Sequence, residues 1–297
     1  MSVSNKAFSF LSLCGFLLTI STLTTLSDSA IDTYVFAGCS QLKYTPGSSY
    51  ENSVNSILTS LVNSAMFTTY NNFTNTGSTQ QDTVYGLFQC RGDLQENDCA
   101  QCVARSVSQL GTLCVNSCGG ALQLEGCFVK YDNTTFLGVE DKTVVSKKCG
   151  APTIGYDSDA LTRRDAVLAY LGTGDGGAYK TFRSSTSGDL QGVAQCVGDL
   201  SAGECQDCLT DAIGMLKTEC GTAAWGDMFL AKCYVRYTGG GVRSHTGEDY
   251  NYGNGEGNDD HEWDRTLAII IGGIAAVGLL IIFLSFLNKH FEKGKGI

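Results

Sequence analysis

The segment CRGDLQENDCAQC at residues 90–102 decides the fold, because it returns as CVGDLSAGECQDC at residues 196–208. Both copies continue with two more cysteines at identical spacings, so each frame reads Cys-x8-Cys-x2-Cys-x11-Cys-x12-Cys. Every cysteine of the second frame lies 106 residues after its counterpart. Ten cysteines in one register indicate a tandem repeat of a single disulfide-bonded module.

Each frame also has an opening cysteine further upstream. Residues 32–39 read as a strand that ends in Cys39, and residues 142–149 read as its counterpart ending in Cys149. We therefore assign Cys149 to the second module, which gives each module six framework cysteines.

The remaining cysteines are Cys14, in the apolar segment at the N-terminus, and Cys118. Cys118 has no counterpart, because Ala224 occupies the matching position of the second module. We expect Cys118 to be the unpaired thiol. A buried inert thiol, an exchange of partners with Cys114 and an intermolecular disulfide all remain open.

The two ends of the chain carry targeting signals. Lys6 and the apolar run that follows it predict a secretory signal peptide over residues 1–30. Residues 266–287 carry no charge and are long enough, at roughly 33 Å, to cross a bilayer as a helix. Acidic residues precede this segment and lysines follow it, so the positive-inside rule places residues 288–297 in the cytosol.

These signals predict a single-pass type I membrane protein with extracellular modules. The 14 cysteines fit such an oxidising compartment. A Gly-, Asp- and Asn-rich stretch at residues 241–265 predicts a flexible stalk between the modules and the membrane. The net charge of −10, without clustered Lys and Arg, argues against a nucleic-acid partner.

The residues between the cysteines predict strand, helix, strand, helix and strands in each module. Ser48-x-x-Glu51 and Ser201-x-x-Glu204 are capping-box patterns that start two of the helices. Apolar residues at helical spacing follow the first box, and the weaker pattern over residues 160–171 predicts its counterpart. Residues 122–131 and 228–237 read as the strands that end the modules.

We therefore predict an α+β fold with two tandem disulfide-rich modules, at residues 31–136 and 137–240, followed by one transmembrane helix. Each module should pack two helices on an antiparallel sheet of about five strands.

Three chemistries compete for the Cys-x2-Cys pairs. Zinc would need more ligands, and the three histidines (His245, His261 and His290) all lie outside the modules. Redox catalysis would need a reactive thiol without other partners. Structural disulfides remain, and Cβ atoms three residues apart on a helix are about 5–6 Å apart, too far for one bond. Cys99 and Cys102 should therefore bond to two different segments, although spacing alone leaves about 15 pairings per module.

The modules contain no histidine that could serve as a general base. We therefore predict no catalytic, cofactor-binding or metal-binding residues and no enzymatic activity. Two N-glycosylation sequons are present, at Asn72 and Asn133.

The phrases around the frame, VYGLFQCRGDL at residues 84–94 and GVAQCVGDL at residues 192–200, resemble the plant ginkbilobin-homologous, or stress-antifungal, cysteine-rich repeat. That repeat occurs in secreted antifungal proteins, in cysteine-rich receptor-like kinases and in plasmodesmata-located proteins. Two repeats, a stalk, one span and a short tail are similar to the last group, because ten residues after the span leave no room for a kinase domain.

The resemblance implies that the six cysteines of each module pair first with fifth, second with third and fourth with sixth. The implied disulfides are Cys39–Cys114, Cys90–Cys99, Cys102–Cys127, Cys149–Cys220, Cys196–Cys205 and Cys208–Cys233.

The resemblance also locates a sugar site that this sequence has altered. Secreted antifungal members bind mannose through an Asn after the first cysteine, an Arg before the last cysteine and a Glu after it. The positions here hold Ser40, Ala121 and Asp132 in the first module, and Gly150, Asp227 and Thr238 in the second. The amide and guanidinium that orient a sugar are missing, so we expect another ligand or a protein partner.

The resemblance implies a non-enzymatic membrane protein of plasmodesmata, with its modules facing the cell wall and its membrane span serving as the address. It would modulate cell-to-cell traffic through callose deposition and dock viral movement proteins. The implied partners are the membrane and other plasmodesmal membrane proteins, such as receptor-like kinases, in homo- or hetero-oligomers, with no cofactor. The alternatives are a plasma-membrane lectin-like or ligand-binding co-receptor for a wall carbohydrate or peptide, and a thiol oxidoreductase.

Overall fold

The computed structural model describes residues 30–77, 82–152, 158–173 and 179–239. Both cysteine modules belong to one compact unit. The predicted stalk, membrane span and tail, and all but the last residue of the predicted signal peptide, lie outside the described residues. Within the described ranges, no helix is long and apolar enough to span a bilayer.

The first module contains two helices and five strands among the described residues. In chain order they are β1 Tyr34–Cys39, α1 Ser49–Ser64, β2 Tyr70–Asn75, β3 Val84–Cys90, α2 Glu96–Leu113, β4 Gly120–Leu124 and β5 Cys127–Asp132. The second module repeats this order. Its elements are β6 Val144–Cys149, α3 Ser158–Thr173, β7 Phe182–Ser187, β8 Leu190–Cys196, α4 Ala202–Cys220, β9 Trp225–Leu230 and β10 Cys233–Thr238.

Each module forms one five-stranded sheet in which all neighbouring strands are antiparallel. The strand orders are β1-β4-β5-β3-β2 and β6-β9-β10-β8-β7. The predicted fold class is thereby confirmed for the modules: two tandem disulfide-rich units, each with two helices and a five-stranded antiparallel sheet.

The strands predicted at the end of each module are present. Residues 122–131 and 228–237 each form a β-hairpin with a tight turn, in which β4 pairs with β5 and β9 with β10. The edge strands β2 and β7 did not stand out in the sequence. Their compositions, YNNFTN and FRSSTS, are mostly polar, and their side chains are half-buried or exposed, so they lack the apolar signal of a strand.

The helix caps differ between the modules. Ser201 and Glu204 form the predicted reciprocal capping box at the start of α4. At the start of α1, Ser48 Oγ accepts the Glu51 N–H at 3.4 Å, but the Glu51 carboxylate accepts the N–H of Gly47 at 2.6 Å instead of that of Ser48. The first box is therefore only half formed, because the chain enters α1 through Gly47, whose φ of +79° turns its N–H toward the helix.

Both helices of a module cover the same face of its sheet. The first core is built mainly of apolar side chains from α1, α2 and the sheet, among them Ile57, Leu61, Phe88, Leu110, Leu122 and Val129. The second core contains the corresponding set, including Leu168, Leu171, Leu209, Leu216, Met228 and Val235. Within the described ranges, no helix covers the opposite face of either sheet.

The described residues contain six disulfides, and they join the same pairs that the family resemblance implies. Cys99 and Cys102, one turn apart on α2, bond to Cys90 of β3 and Cys127 of β5. The expectation that they take separate partners is confirmed. Together these two bonds fix α2 across the centre of the sheet.

The loops closed by these disulfides predict their contributions to stability. Cys39–Cys114 closes a separation of 75 residues and Cys90–Cys99 one of 9. In the chain-entropy model the first bond contributes about 4–5 kcal/mol and the second about 2–3 kcal/mol. We expect the double variant Cys39→Ala/Cys114→Ala to lose about 2 kcal/mol more unfolding free energy than Cys90→Ala/Cys99→Ala, as measured by urea denaturation.

The second module provides the matched control, because Cys149–Cys220 and Cys196–Cys205 close separations of 71 and 9 residues. The same order of losses is expected there. Equal losses for the long and short loops in both modules would contradict the entropic explanation.

Candidate functional site

The two modules meet through the sheet faces that the helices leave uncovered. A third cluster of buried residues forms there, made of Leu87, Phe128, Phe136 and Val197. Phe36 of β1 lies 6.3 Å from Phe128 and 6.5 Å from Phe229 of the second module, ring centre to ring centre. The junction is therefore an apolar core shared by both modules.

The junction is approximately two-fold symmetric. The Tyr70 ring, at the start of β2, packs against Gly198 of the second module, and the Phe182 ring, at the start of β7, packs against Gly92 of the first. A Cβ atom at either glycine would collide with the ring. This contact explains the glycine of the Gly-Asp-Leu sequence that follows Cys90 and Cys196. The absence of a side chain at Gly92 and Gly198 leaves room for an aromatic ring of the other module.

Two glutamines add polar contacts at the centre of this symmetry. The Gln89 side-chain oxygen accepts the N–H of Gly198 at 2.9 Å, and the Gln195 side-chain amide donates to the Cys90 carbonyl at 2.9 Å. Both glutamines are buried. Their hydrogen bonds fix the register of one module on the other, because a buried amide left without a partner would be costly.

One side of the junction holds a buried ion cluster. Arg236 of β10 binds the Glu125 carboxylate of the first module through both terminal nitrogens, and it binds Asp227 of β9 at 2.9 Å. The three side chains are only 7–10% exposed. The two carboxylates offset the cost of burying the charged guanidinium.

The other side of the junction holds the segment that links the modules. Phe136 is buried there between two cations, with Lys130 Nζ at 4.4 Å and Lys232 Nζ at 5.3 Å from the ring centre. Lys232 Nζ also binds the Phe136 carbonyl at 2.9 Å and the Asp199 carboxylate, which in turn accepts the N–H of Gly138 at 2.9 Å. Burial, together with the charge of Lys232, lowers the pKa of Lys130.

The altered sugar positions of the first module do come together. Ser40, Ala121 and Asp132 line one open cavity of about 460 Å³, beside Lys130. The cavity offers a hydroxyl, a carboxylate and an ammonium group. It can hold a polar ligand, but it lacks the planar amide and guanidinium of the mannose-binding members.

The same place in the second module is arranged differently. The Trp225 indole lies directly against Gly150, where a Cβ atom would collide with the ring. Asp227 is bound to Arg236, as described above. An Asn could not replace Gly150 without displacing Trp225, so the two modules do not offer the same site.

The remaining predicted residues fall at distinct places. Among the described cysteines, Cys118 alone is unpaired, and it is buried in the first core. Burial raises the pKa of its thiol, and the charge of Asp132 adds to the effect. Asn72 is exposed on the edge strand β2, whereas Asn133 is half-buried just after β5. Over the described ranges, no group of three or more His, Cys, Asp or Glu side chains could hold a metal ion.

The junction residues were missed in the sequence. Two signals were present: a Gln stands before the first frame cysteine in both copies, and Gly-Asp-Leu follows it in both. Neither signal showed that the two modules face each other. Phe136 carried no signal at all, since nothing marks it as different from other linker residues.

The buried ion cluster predicts a large effect of removing Arg236. Arg236→Met leaves two buried carboxylates without their cation, so we expect a loss of about 3–5 kcal/mol in unfolding free energy, measured by urea denaturation. Lys147→Met is the control, because Lys147 and Glu219 form an ion pair whose side chains are 52% and 45% exposed. That change should cost less than about 1 kcal/mol. Similar losses in the two variants would show that the cluster does not hold the junction.

The state of Cys118 predicts slow alkylation. A buried thiol with a raised pKa has little thiolate at neutral pH, so N-ethylmaleimide should react at pH 7.5 at least roughly tenfold more slowly with the native chain than with the urea-unfolded chain. Mass spectrometry after a timed quench measures the modified fraction. Equal rates would place Cys118 at the surface and favour the alternative in which it forms an intermolecular disulfide.

Comparisons with known proteins give the family. The model of the Stress-antifung family, described as salt stress response/antifungal, matches residues 38–134 and 151–239. The chain is 60% identical over 284 residues to plasmodesmata-located protein 6 of Arabidopsis thaliana, covering 95% of this chain and 96% of that protein. It is 58% identical to plasmodesmata-located protein 7 of the same plant, covering 94% and 91% of the two chains.

Solved structures agree. The crystal structure of the tandem DUF26 ectodomain of the Arabidopsis thaliana cysteine-rich receptor-like protein PDLP5 superposes with a TM-score of 0.66 at 50% identity, covering 70% of this chain and all of that one. The corresponding ectodomain of PDLP8 gives a TM-score of 0.67 at 40% identity, covering 71% and 100%. With the repeated frame, the six disulfides and the paired modules, these matches show that the chain belongs to the plasmodesmata-located protein family.

Proposed function

We propose that this chain is a non-enzymatic type I membrane protein of plasmodesmata that modulates cell-to-cell traffic. The observation that carries the proposal is the 60% identity to plasmodesmata-located protein 6, which extends over 95% of the chain and so includes the segments outside the modules. In this proposal the signal peptide spans residues 1–30, the modules 31–136 and 137–240, the stalk 241–265, the membrane helix 266–287 and the cytosolic tail 288–297.

The structure supports a recognition role for the modules. Disulfide-bonded cores of this kind suit the extracellular side of the membrane. The buried junction joins the modules into one body, and the described charged groups at its centre are engaged in ion pairs. We therefore propose that the modules bind partners on the wall side, that callose deposition is the output, and that viral movement proteins, receptor-like kinases or other copies of the chain are among the partners.

Asn72 and Asn133 are the proposed glycosylation sites. Asn72 is exposed on the edge strand β2, so a glycan there would also shield that edge from pairing with another chain. We propose no catalytic, cofactor or metal residue.

The membrane segment provides the first test of this proposal. A fluorescent fusion of the full chain, expressed in leaf epidermis, should give wall puncta that coincide with a callose stain. Replacing residues 266–287 with an unrelated apolar span of equal length should disperse the puncta over the plasma membrane. If the chain with the exchanged span keeps its puncta, residues 266–287 do not determine targeting to plasmodesmata.

The second measurement is the movement of a diffusible fluorescent protein between cells. Raising the level of the chain should change callose staining and movement in opposite directions. An unchanged movement together with an even surface label would contradict the plasmodesmal role.

A ligand-binding co-receptor at the general plasma membrane is the second candidate, and the cavity beside Ser40, Lys130 and Asp132 favours it. Binding of the purified chain to a wall glycan on an array, lost when Ser40→Trp fills the cavity, would support this role. Even labelling of the cell surface would be expected with it.

A further inference from the structure

The two-fold symmetry of the junction relates two clefts, and the chain fills only one of them among the described residues. The filled cleft contains Phe136, which packs with Leu87 and Val197 and lies over Lys130. The symmetry relates these three to residues 106 positions away in the sequence. Leu87 corresponds to Val193, Val197 to Arg91 and Lys130 to Arg236. Those residues line an open cleft of about 230 Å³ between the modules.

The correspondence extends to the other lining residues. Other residues that line the open cleft also have counterparts 106 residues away: Asp93 corresponds to Asp199, Glu125 to Ala231, Gln191 to Tyr85 and Thr238 to Asp132. The open cleft is therefore the symmetry-related counterpart of the surface on which Phe136 lies, with more polar walls and with Gly126 at the position of Lys232.

The filled cleft shows what kind of group such a surface receives. It takes an aromatic ring from a peptide segment, with a cation over the ring face. It also holds the backbone around that ring: Lys232 donates to the Phe136 carbonyl, and Asp199 accepts the N–H of Gly138, two residues later.

The open cleft has groups for each of these contacts. Asp93 stands at the position of Asp199 and is 49% exposed. Its Oδ1 pairs with Arg91 Nε at 2.6 Å, so Oδ2 is the oxygen that can accept a backbone N–H from a guest. Arg91 is 26% exposed at the rim of the same cleft, with Nε on Asp93 and Nη1 on the Glu125 carbonyl at 3.2 Å. Its guanidinium face can stack on a ring, and Nη2 can donate to a carbonyl. Arg236 is fixed by Glu125 and Asp227, so this wall is pre-organised.

The chain's own counterpart of the linker is a poor occupant. Val242 stands 106 residues after Phe136, outside the described residues, and has no aromatic ring. It follows Gly239, Gly240 and Gly241, and three successive glycines raise the entropy cost of ordering a segment. The next tyrosines of the chain, Tyr250 and Tyr252, stand eight and ten residues beyond Val242, so we take a partner protein as the source of the ring.

We propose that the cleft between Arg91, Asp93, Val193 and Arg236 is a docking site for a peptide segment of a partner protein that carries an aromatic side chain. The ring enters the cleft over Val193, as Phe136 lies over Leu87. The segment's backbone binds Asp93 and Arg91.

The linker itself supplies the probe. The synthetic peptide NTTFLGVE, which copies residues 133–140, is prepared with a photoreactive benzoylphenylalanine in place of the Phe and mixed with the full chain in detergent micelles. After irradiation, mass spectrometry should locate the cross-links at residues 91–93, 191–193 and 236–238. An unlabelled peptide with the native Phe should compete, and the version with Phe replaced by Ala should compete at least roughly tenfold less well.

Variants of the chain test the cleft itself. Val193→Phe places a ring in the cleft, where the first module tolerates the larger Leu87, and should lower the cross-link yield at least roughly fivefold. Val144→Phe is the matched control, because Val144 lies on the edge strand β6, is 42% exposed and does not line the cleft. Asp93→Ala should lower the yield as well, since it removes the acceptor for the guest's backbone.

Three results would overturn the proposal: no cross-link at millimolar peptide, an equal yield from Val193→Phe and the unaltered chain, or cross-links at residues 85–87 and 197 instead. A yield that appears only after residues 240–252 are deleted would also overturn it, because the chain's own segment would then be the occupant. The measurement uses purified protein and does not depend on cellular location. The docking proposal can therefore fail while the proposed function stands, and the proposed function can fail while the docking proposal stands.

Discussion

Each five-stranded sheet packs both of its helices on one face, so its other face needs a second apolar surface to cover it. This need determines how the two modules are arranged. Each module covers the bare face of the other. Leu87, Phe128 and Val197 are buried only because the modules meet. The hydrophobic effect that stabilises each core therefore also fixes the position of one module on the other. The disulfides lie within modules, so the junction itself depends on packing, hydrogen bonds and buried ion pairs.

The parts of the fold that could be predicted are those in which the residue pattern within a single helix or strand indicates its structure. Val54, Ile57 and Leu61 recur at helical spacing and are buried as expected. Ser201 and Glu204 lie three residues apart and form their box. The strands β2 and β7 could not be found in this way, since edge strands with polar side chains on both faces give no period.

The junction could be predicted even less. Lys232 and Arg236 look like ordinary surface charges in the sequence, and their burial depends on partners that lie 33 and 111 residues away along the chain. The family resemblance implies that the residues of the sugar site have changed, and the structure shows how the two modules differ there. In the first module a cavity stays open beside Ser40, whereas in the second Trp225 covers Gly150. The two modules share one fold but differ chemically at this place.

The position of the last described strand has a mechanical consequence. β10 is the middle strand of its sheet, hydrogen-bonded to β9 on one side and β8 on the other, and Cys233 at its start is bonded to Cys208 of α4. Any tension on the chain beyond residue 239 reaches the modules through this strand. The load then acts along the strand and shears two ladders of hydrogen bonds at once, instead of peeling an edge strand away one bond at a time. The modules are thus joined to the following chain by the part of the sheet that is hardest to pull out.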